Sequence, residues 1–304
     1  VWIDLHIHST ASDGTLSPAE ILAAARRLHL KAIALTDHDT VQGVRQLIES
    51  PLPGDIQVLT GVEISAAPPL ACPRRGSFHI LGYGLDVHHR ELNQTLIRLQ
   101  NARQDRNPAI IARLRAMGID IELTEAEALA ENRATLGRPH IARVLRQKGW
   151  AASIDEAFDR YLGNGRPAYV DKFRIECAEA MALIRCAGGL PVLAHPGMSI
   201  PAGVDLDAVL ASLIPMGLAG IEVYYPEHDA AQTGRYAAAA RRHGLLMTGG
   251  SDFHGDLKPR IALGSGSGDL RVPMRLYLEL RAALAAHQGA CGQPCKNALG
   301  GSAP

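Results

Sequence analysis

Short apolar runs recur along this chain, and most of them end in a histidine, an aspartate or a glutamate. That arrangement restricts the fold more than any other feature. Val1-Trp2-Ile3 leads into Asp4-Leu5-His6-Ile7-His8, and Ala32-Ile33-Ala34-Leu35 into Thr36-Asp37-His38-Asp39. Ile56 to Val62 ends at Glu63, and Ser77 to Leu81 carries His79. Leu190 to Ala194 ends at His195-Pro196, and Leu245 to Thr248 runs into Gly249-Gly250-Ser251-Asp252-Phe253-His254. Between the runs lie stretches with helical spacing. One is Ile21, Leu22, Ala25 and Leu28, behind a capping box built from Ser17, Pro18 and Glu20. Strand and helix alternate, which predicts a mainly parallel sheet or barrel.

Side chains alternate along a strand, so His6 and His8 are expected on one side of the first run. In a parallel α/β barrel, active residues gather at the carboxyl ends of the strands. His6, His8, Asp13, His38, Glu63, His79, His195, Asp252 and His254 then share one pocket. Taken singly, His79 also suits an ordinary strand, and Asp13 before Gly14 an ordinary turn. Together, so many imidazoles and carboxylates would repel or stay unsatisfied unless they held cations. Nitrogen and oxygen donors without thiolate suit manganese, zinc or iron in a multinuclear site.

The rhythm stops between about residues 91 and 179. That stretch reads as helical, with Leu92, Leu96, Leu99, Ile110, Ile111 and Leu114 in helical phase. Thr124-x-x-Glu127 and Ser153-x-x-Glu156 are expected capping boxes. The expected organisation is an α/β domain in two segments, 1–90 and 181–286, with a helical insertion at 91–180. A last helix is expected over about 273–286, and residues 287–304 as a disordered Gly/Ser/Cys tail. That tail holds Cys291 and Cys295, whose spacing also suits a metal or a disulfide. The insertion is rich in arginine. Arg106 and Asn107 lie on its first helix, Arg138 opens another, and Arg166 sits in a Gly/Pro-flanked turn. A helix start with a nearby arginine suits an anionic phosphate.

Formal net charge is zero, so no global field draws the chain to nucleic acid or membrane. No apolar run reaches the roughly 20 residues of a membrane span, and no signal peptide is visible. Five cysteines without a framework fit a reducing compartment, so the cytoplasm is the expected location. No obligate protein partner is evident.

The motifs His6-x-His8 with Asp13, Thr36-Asp37-His38-Asp39, Gly61-Val62-Glu63, His79, Ala194-His195-Pro196 and Ser251-Asp252-x-His254 resemble those of the PHP (polymerase and histidinol phosphatase) superfamily. The resemblance covers both α/β segments. It implies a distorted (β/α)7 TIM-like barrel and a trinuclear metal centre that hydrolyses phosphate esters. By that resemblance, His6, His8, Glu63 and Asp252 would hold one ion. Glu63, His79 and His195 would hold a second, with Glu63 bridging, and Asp13, His38 and His254 the third. Two or three divalent ions per chain are implied, manganese first, with zinc or iron as alternatives. A hydroxide bridging such ions would attack phosphorus in line. A metal-bound leaving oxygen removes the need for a protein acid. Failing that, a histidine at the third ion, or His228, would serve; His228 also suits a plain surface position at a helix start.

Arg103-x-x-Arg106-Asn107, Gly137-Arg138-Pro139-His140 and Gly165-Arg166-Pro167 resemble the PHP subgroup with a helical insertion. That subgroup includes 3′,5′-nucleotide bisphosphate phosphatases and related 5′-to-3′ exoribonucleases. The implied reaction removes the 3′-phosphate of adenosine 3′,5′-bisphosphate, giving AMP and phosphate. Arg106, Asn107, Arg138 and Arg166 would grip the nucleotide beneath a helical cap, and Arg74 and Arg75 would meet a second phosphate. An exoribonuclease acting on short 5′-phosphorylated RNA is the first alternative. Zero net charge and four phenylalanines argue against a long polymer track. The arginines argue against a small cation-bearing substrate such as histidinol phosphate. A non-catalytic metal-binding module is the alternative of another class.

Overall fold

The computed structural model describes residues 1–73, 78–130, 136–171 and 173–290. The chain begins with β1 (Trp2–Ile7), α1 (Pro18–Arg27), β2 (Ala32–Leu35), α2 (Gln42–Ile48), β3 (Gln57–Ala67) and β4 (Phe78–Tyr83). The next elements are α3 (Arg90–Ala116), α4 (Leu123–Glu127), α5 (Arg138–Gln147) and α6 (Ile154–Ala157), the last continued by a π-helical turn at Phe158–Leu162. The alternation then returns with β5 (Ile175–Glu176), α7 (Cys177–Cys186), β6 (Leu190–Leu193), α8 (Pro196–Ser199), α9 (Leu206–Leu213) and β7 (Gly220–Tyr224). It ends with α10 (Ala230–His243), β8 (Leu246–Gly249), β9 (Val272–Pro273) and α11 (Met274–Ala290).

The strands form a nearly closed mixed barrel in the order β8-β7-β6-β4-β3-β2-β1-β9, with β5 paired to β3 outside that path. Just past β8 the backbone returns to β1. The Asp252 N–H donates to the His6 carbonyl at 2.8 Å, and the His8 N–H to the Phe253 carbonyl at 3.0 Å. Two features depart from a regular (β/α)7 barrel. β4 runs antiparallel to both β3 and β6, because only a short connection separates β3 from β4, with no crossover helix among its described residues. β9 adds an eighth strand, antiparallel to β1.

Alternate residues of the buried strands face two cores. Ile33 and Leu35 of β2 pack with Ile21 and Ala25 of α1 and Val44 of α2. Ala32 and Ala34 join Ile3, Leu5, Leu81, Tyr83 and Val192 in the interior. There the Tyr83 hydroxyl donates across the barrel to the Leu5 carbonyl at 2.8 Å. Leu276, Leu280 and Leu284 of α11 fill the end at which β1 begins, leaving the opposite end open to function. The middle helices have a core of their own, running from Ile110 to Ala168. The first turns of α3, through Leu99, instead pack with the barrel core, as does α7.

Local details correct the sequence reading. Ser17 and Glu20 form the expected capping box. Thr124 is not the cap: α4 starts at Leu123, and the Glu125 carboxylate accepts from the Glu122 N–H at 2.8 Å. Ser153 accepts from the Glu156 N–H at 3.0 Å, but the Glu156 carboxylate turns to the Ala152 N–H. The stretch 91–179 is not helical throughout, since β5 follows the turn at 163–166 and belongs to the sheet. α11 extends to Ala290; residues 291–304, with Cys291 and Cys295, lie outside the described residues. So do Arg74 and Arg75. Among the described residues, no helix is long and apolar enough to cross a membrane.

Candidate metal centre

All nine sequence-predicted His, Asp and Glu residues meet at the mouth of the barrel. His6 lies one residue before the end of β1 with its side chain on the same side as His8, and their Nε2 atoms lie 3.2 Å apart. The turn after β1 brings in Asp13. It is folded by Asp37, whose carboxylate accepts from the Ser9 N–H, the Ser9 hydroxyl and the Ser12 hydroxyl at 2.7–2.8 Å. Gly14 is obligatory there, since a Cβ would stand 2.2 Å from the His8 carbonyl oxygen. His38 follows β2, and Asp252 and His254 follow β8. Glu63 does not end its strand as expected; it lies in the middle of the long β3, with His79 beside it on β4.

Asp39, His195 and Asp252 all have positive φ, and His29 is the only other non-glycine residue to do so among the described residues. Such strain persists only where surrounding contacts enforce it, and it concentrates at functional sites.

The donor atoms converge. Glu63 Oε1 is 2.7 Å from His79 Nδ1 and 2.8 Å from His195 Nε2. Glu63 Oε2 is 3.0 Å from His38 Nδ1, 3.2 Å from His8 Nε2 and 3.4 Å from His6 Nε2. Asp252 Oδ1 is 3.0 Å from His8 Nε2, and Asp13 Oδ1 is 3.4 Å from His254 Nε2. Three groups have donor atoms within 4.8 Å of one another: His8, Asp13, His38 and His254; His6, His8, Glu63 and Asp252; and His38, Glu63 and His79. One set is as expected from sequence, one gains His8, and in the third His38 stands where His195 was expected, His195 joining the site through Glu63 Oε1. Two atoms that each ligate one ion at about 2.1 Å stand about 3.0–3.4 Å apart. Buried His8 Nδ1, Asp13 Oδ1, His38 Nδ1 and Glu63 Oε2 make no hydrogen bond among the described residues. A buried polar atom left in that state is costly. The donor set therefore fits divalent cations.

Electrostatics agree. Burial alone would raise the pKa of Glu63, yet His38, His79 and His6 hold it well below the ordinary glutamate value. Burial likewise opposes charge on Asp13, and His38 and His254 overcome it. Burial works against a charge on His8, but Asp252 and Glu63 lift its pKa to about 9. Burial, then Lys258 and His8, push His254 down to about 4.

The surroundings orient these groups, and sequence reasoning missed most of them. Glu222 of β7 lies 3.0 Å from His6 Nδ1 and accepts from the His195 N–H at 2.8 Å. A carboxylate only accepts, so Nδ1 of His6 carries a proton and Nε2 turns to the cluster. The available signal was a glutamate inside the apolar run Ala219 to Val223. Asp252 Oδ2 accepts from the Tyr225 hydroxyl at 2.9 Å and from Lys258 Nζ at 2.6 Å. His228 stands apart from the cavity. Its Nδ1–H donates to the Val223 carbonyl at 2.9 Å and its Nε2 accepts from the Gly197 N–H at 3.2 Å, so both ring nitrogens are engaged by backbone groups.

A cavity of about 340 Å³ joins this mouth to the helical segment. Asp13, Glu63, Asp252 and His254 line one part, and Arg103, Arg106, Arg138 and Phe158 another. Arg106 is buried, and its Nε has no partner among the described residues. Burial, then Arg138 and Arg103, push its pKa down to about 9. Arg138 lies between the rings of Phe158 and Tyr169, at 5.5 and 5.4 Å, and donates to the Leu162 carbonyl at 2.9 Å. Arg103 is paired with Asp39, but no carboxylate pairs with Arg106 or Arg138 among the described residues, and guanidinium groups in that state suit an anion. Asn107 does not line the cavity; its amide donates to the Leu136 carbonyl at 2.9 Å and so holds the segment before Arg138. Arg166 is exposed on its turn and also stands outside the cavity lining.

The model of the PHP domain matches residues 4–162, a little over half of the chain. The chain belongs to the PHP domain family. Among its PHP relatives is a protein from Chromobacterium violaceum named 3′,5′-nucleoside bisphosphate phosphatase. It is 33% identical over 252 residues, 83% of this chain and 87% of its own. A Haemophilus influenzae protein named 5′-3′ exoribonuclease is 34% identical, over 83% of this chain and 89% of its own. The PHP fold extends to a solved structure from Bifidobacterium adolescentis described as a metal-dependent phosphoesterase. Its TM-score is 0.81 at 30% identity, covering 92% of this chain and 95% of that one. With its buried His/Asp/Glu clusters, this chain is a PHP-family phosphoesterase.

Proposed function

We propose that the protein removes the 3′-phosphate of adenosine 3′,5′-bisphosphate, releasing AMP and phosphate. The observation that carries this reading is the shared cavity: buried metal-type clusters and a group of arginines line one space. A substrate with two phosphates uses both, one at the clusters and one at the guanidiniums. The cavity volume lies near the small end of ligand sites, about 300–1,000 Å³, and suits one nucleotide better than a polymer.

In this reading, His6, His8, Asp13, His38, Glu63, His79, His195, Asp252 and His254 hold two or three divalent ions. Manganese is the first choice for such nitrogen and oxygen donors, with zinc or iron as alternatives. Bound ions would lower the pKa of water and offset phosphoryl charge. Glu222 keeps His6 and His195 in register. Arg106 and Arg138 bind the second phosphate, and Phe158 shields that side from water. Residues 91–180 act as a cap over the mouth formed by 1–90 and 181–286. Asn107 fixes the segment before Arg138 and does not touch substrate.

A 5′-to-3′ exoribonuclease acting on short RNA is the second reading, favoured by the name of the Haemophilus relative. Phosphate release from adenosine 3′,5′-bisphosphate, set against nucleotide release from a short 5′-phosphorylated RNA with manganese present, tests the two. Turnover of the RNA faster by orders of magnitude would replace the first reading with the second. No product from either substrate, or from any generic phosphate ester, would leave a non-catalytic metal-binding module.

A further inference from the structure

Past His254 a 3₁₀ turn, Gly255–Leu257, brings the chain to Lys258. Its Nζ donates to Asp252 Oδ2 at 2.6 Å, while the side chain keeps 36% exposure and lines the cavity. An ammonium has three N–H bonds. Asp252 takes one, and no other hydrogen-bond acceptor meets Nζ among the described residues. Asp252 does not need the lysine to satisfy that oxygen, since the Tyr225 hydroxyl already donates to it at 2.9 Å. Its other oxygen faces His8 and His6. Lys258 is therefore pinned at one corner, beside the clusters, with donors left over for something in the cavity. Asp13 and His254 line the same cavity, and Glu227 lies at its exposed rim. The arginines of the cavity come from a different part of the chain, α3 and α5.

We propose that Lys258 is a further catalytic residue whose ammonium contacts an oxygen of the phosphoryl group seated at the clusters. The inference rests on the phosphoesterase reading and divides its labour: Lys258 serves the phosphate that is cleaved, Arg106 and Arg138 the one that is kept. Lys258 transfers no proton and forms no bond. As the leaving-group P–O bond breaks and the bond to water forms, negative charge spreads over the phosphoryl oxygens. A fixed ammonium then gains more from the transition state than from the ground state.

The test uses the full chain loaded with manganese, as wild type, Lys258→Met and Lys258→Arg. Three quantities are measured: metal per chain, the Kd of inorganic phosphate by calorimetry, and kcat and KM for p-nitrophenyl phosphate. That ester carries one phosphate, so the arginines contribute little. Lys258→Met should weaken phosphate binding about 10–100-fold and lower kcat/KM at least as much, with metal content unchanged. Lys258→Arg should recover part of both losses, since charge is kept but its geometry is not. If Lys258 were only the counter-ion of Asp252, Lys258→Met would alter metal content and leave the phosphate Kd of the fully loaded protein as it was; that result overturns the proposal. Unchanged kinetics and unchanged Kd overturn it too, and leave the phosphoesterase reading standing. Lys258-dependent phosphate binding without any turnover by wild type supports the contact and removes the hydrolase reading instead.

Discussion

Arg103 Nη2 lies 2.5 Å from Asp39 Oδ2, and both side chains are buried. Asp39 also accepts from the Ser65 N–H at 2.7 Å and from the Ser65 hydroxyl at 2.9 Å, while its carbonyl accepts from Gln100 at 2.8 Å. His38 precedes Asp39 directly, and Glu63 stands two residues before Ser65. One carboxylate thus ties α3, one turn before Arg106, to the backbone that presents two cluster residues.

Arg103→Met should therefore do more than remove a charge. Breaking a buried pair from one side leaves the other charge uncompensated, at a cost of about 3–5 kcal/mol. Ser65 still serves Asp39, so the lower figure is expected. Urea denaturation should give that loss, with less metal bound per chain. A variant as stable as wild type would mean that Arg103 is an ordinary solvated arginine.

Glu63 is the residue whose loss should spread furthest. Its two oxygens face His79 and His195 on one side and His38, His8 and His6 on the other. Glu63→Gln keeps the shape and removes the charge. Metal per chain should fall by elemental analysis, and phosphate-ester turnover should drop by about 10³-fold or more. Chelator should lower the Tm of wild type by several degrees, and added manganese should restore it, because an ion at about 1,000 times its Kd contributes about 4 kcal/mol. The Tm of Glu63→Gln should respond far less. Equal responses would refute the shared role.

Much of this site is legible in the sequence because most cluster residues follow or end a local apolar run, and barrel geometry gathers such positions. His6 and His8 needed only strand alternation. Glu63 was harder to place: nothing local shows that β3 continues past the rim to Ala67, since the continuation depends on pairing with an antiparallel β4. Arg103 showed in the sequence only as part of the motif Arg103-x-x-Arg106-Asn107, because the carboxylate that buries it, Asp39, is distant in sequence. The lone glutamate in the apolar run of β7 was a visible anomaly, and only the fold gives it its partners. Arg166 presents the opposite case, exposed and outside the cavity lining. A Gly/Pro-flanked arginine looks pre-arranged for a ligand, but local turn chemistry does not say which way the turn faces.

Arg138→Ala should act on binding more than on chemistry. Its guanidinium is held between Phe158 and Tyr169 and lines the cavity away from the reacting phosphate of the proposed substrate. A charge-assisted hydrogen bond contributes about 1.5–3 kcal/mol, so KM for adenosine 3′,5′-bisphosphate should rise about 10–100-fold with a smaller change in kcat. The same substitution should barely alter KM for p-nitrophenyl phosphate. Equal effects on both substrates would contradict a role in holding the second phosphate.

His140 supplies a pH test of the segment that carries Arg138. It is buried, and its Nδ1 accepts from the Gly137 N–H at 3.2 Å. Burial, opposed by Asp13 and reinforced by Arg103, holds its pKa below the ordinary histidine value. A depressed folded-state pKa means that the unfolded chain takes up a proton first as pH falls. The stability this group contributes is thus complete above the ordinary histidine value, about 6.5, and is lost as pH drops through the lower folded value. Protonation would also destroy the acceptor that Gly137 uses. Other buried histidines titrate too, so the informative quantity is a difference: urea-unfolding free energies of wild type minus those of His140→Gln, measured with manganese present between pH 5 and 8. Glutamine keeps an acceptor and does not titrate. The difference should be flat near pH 8 and fall toward pH 5. A flat line across the whole range would mean that His140 is not held neutral by its surroundings.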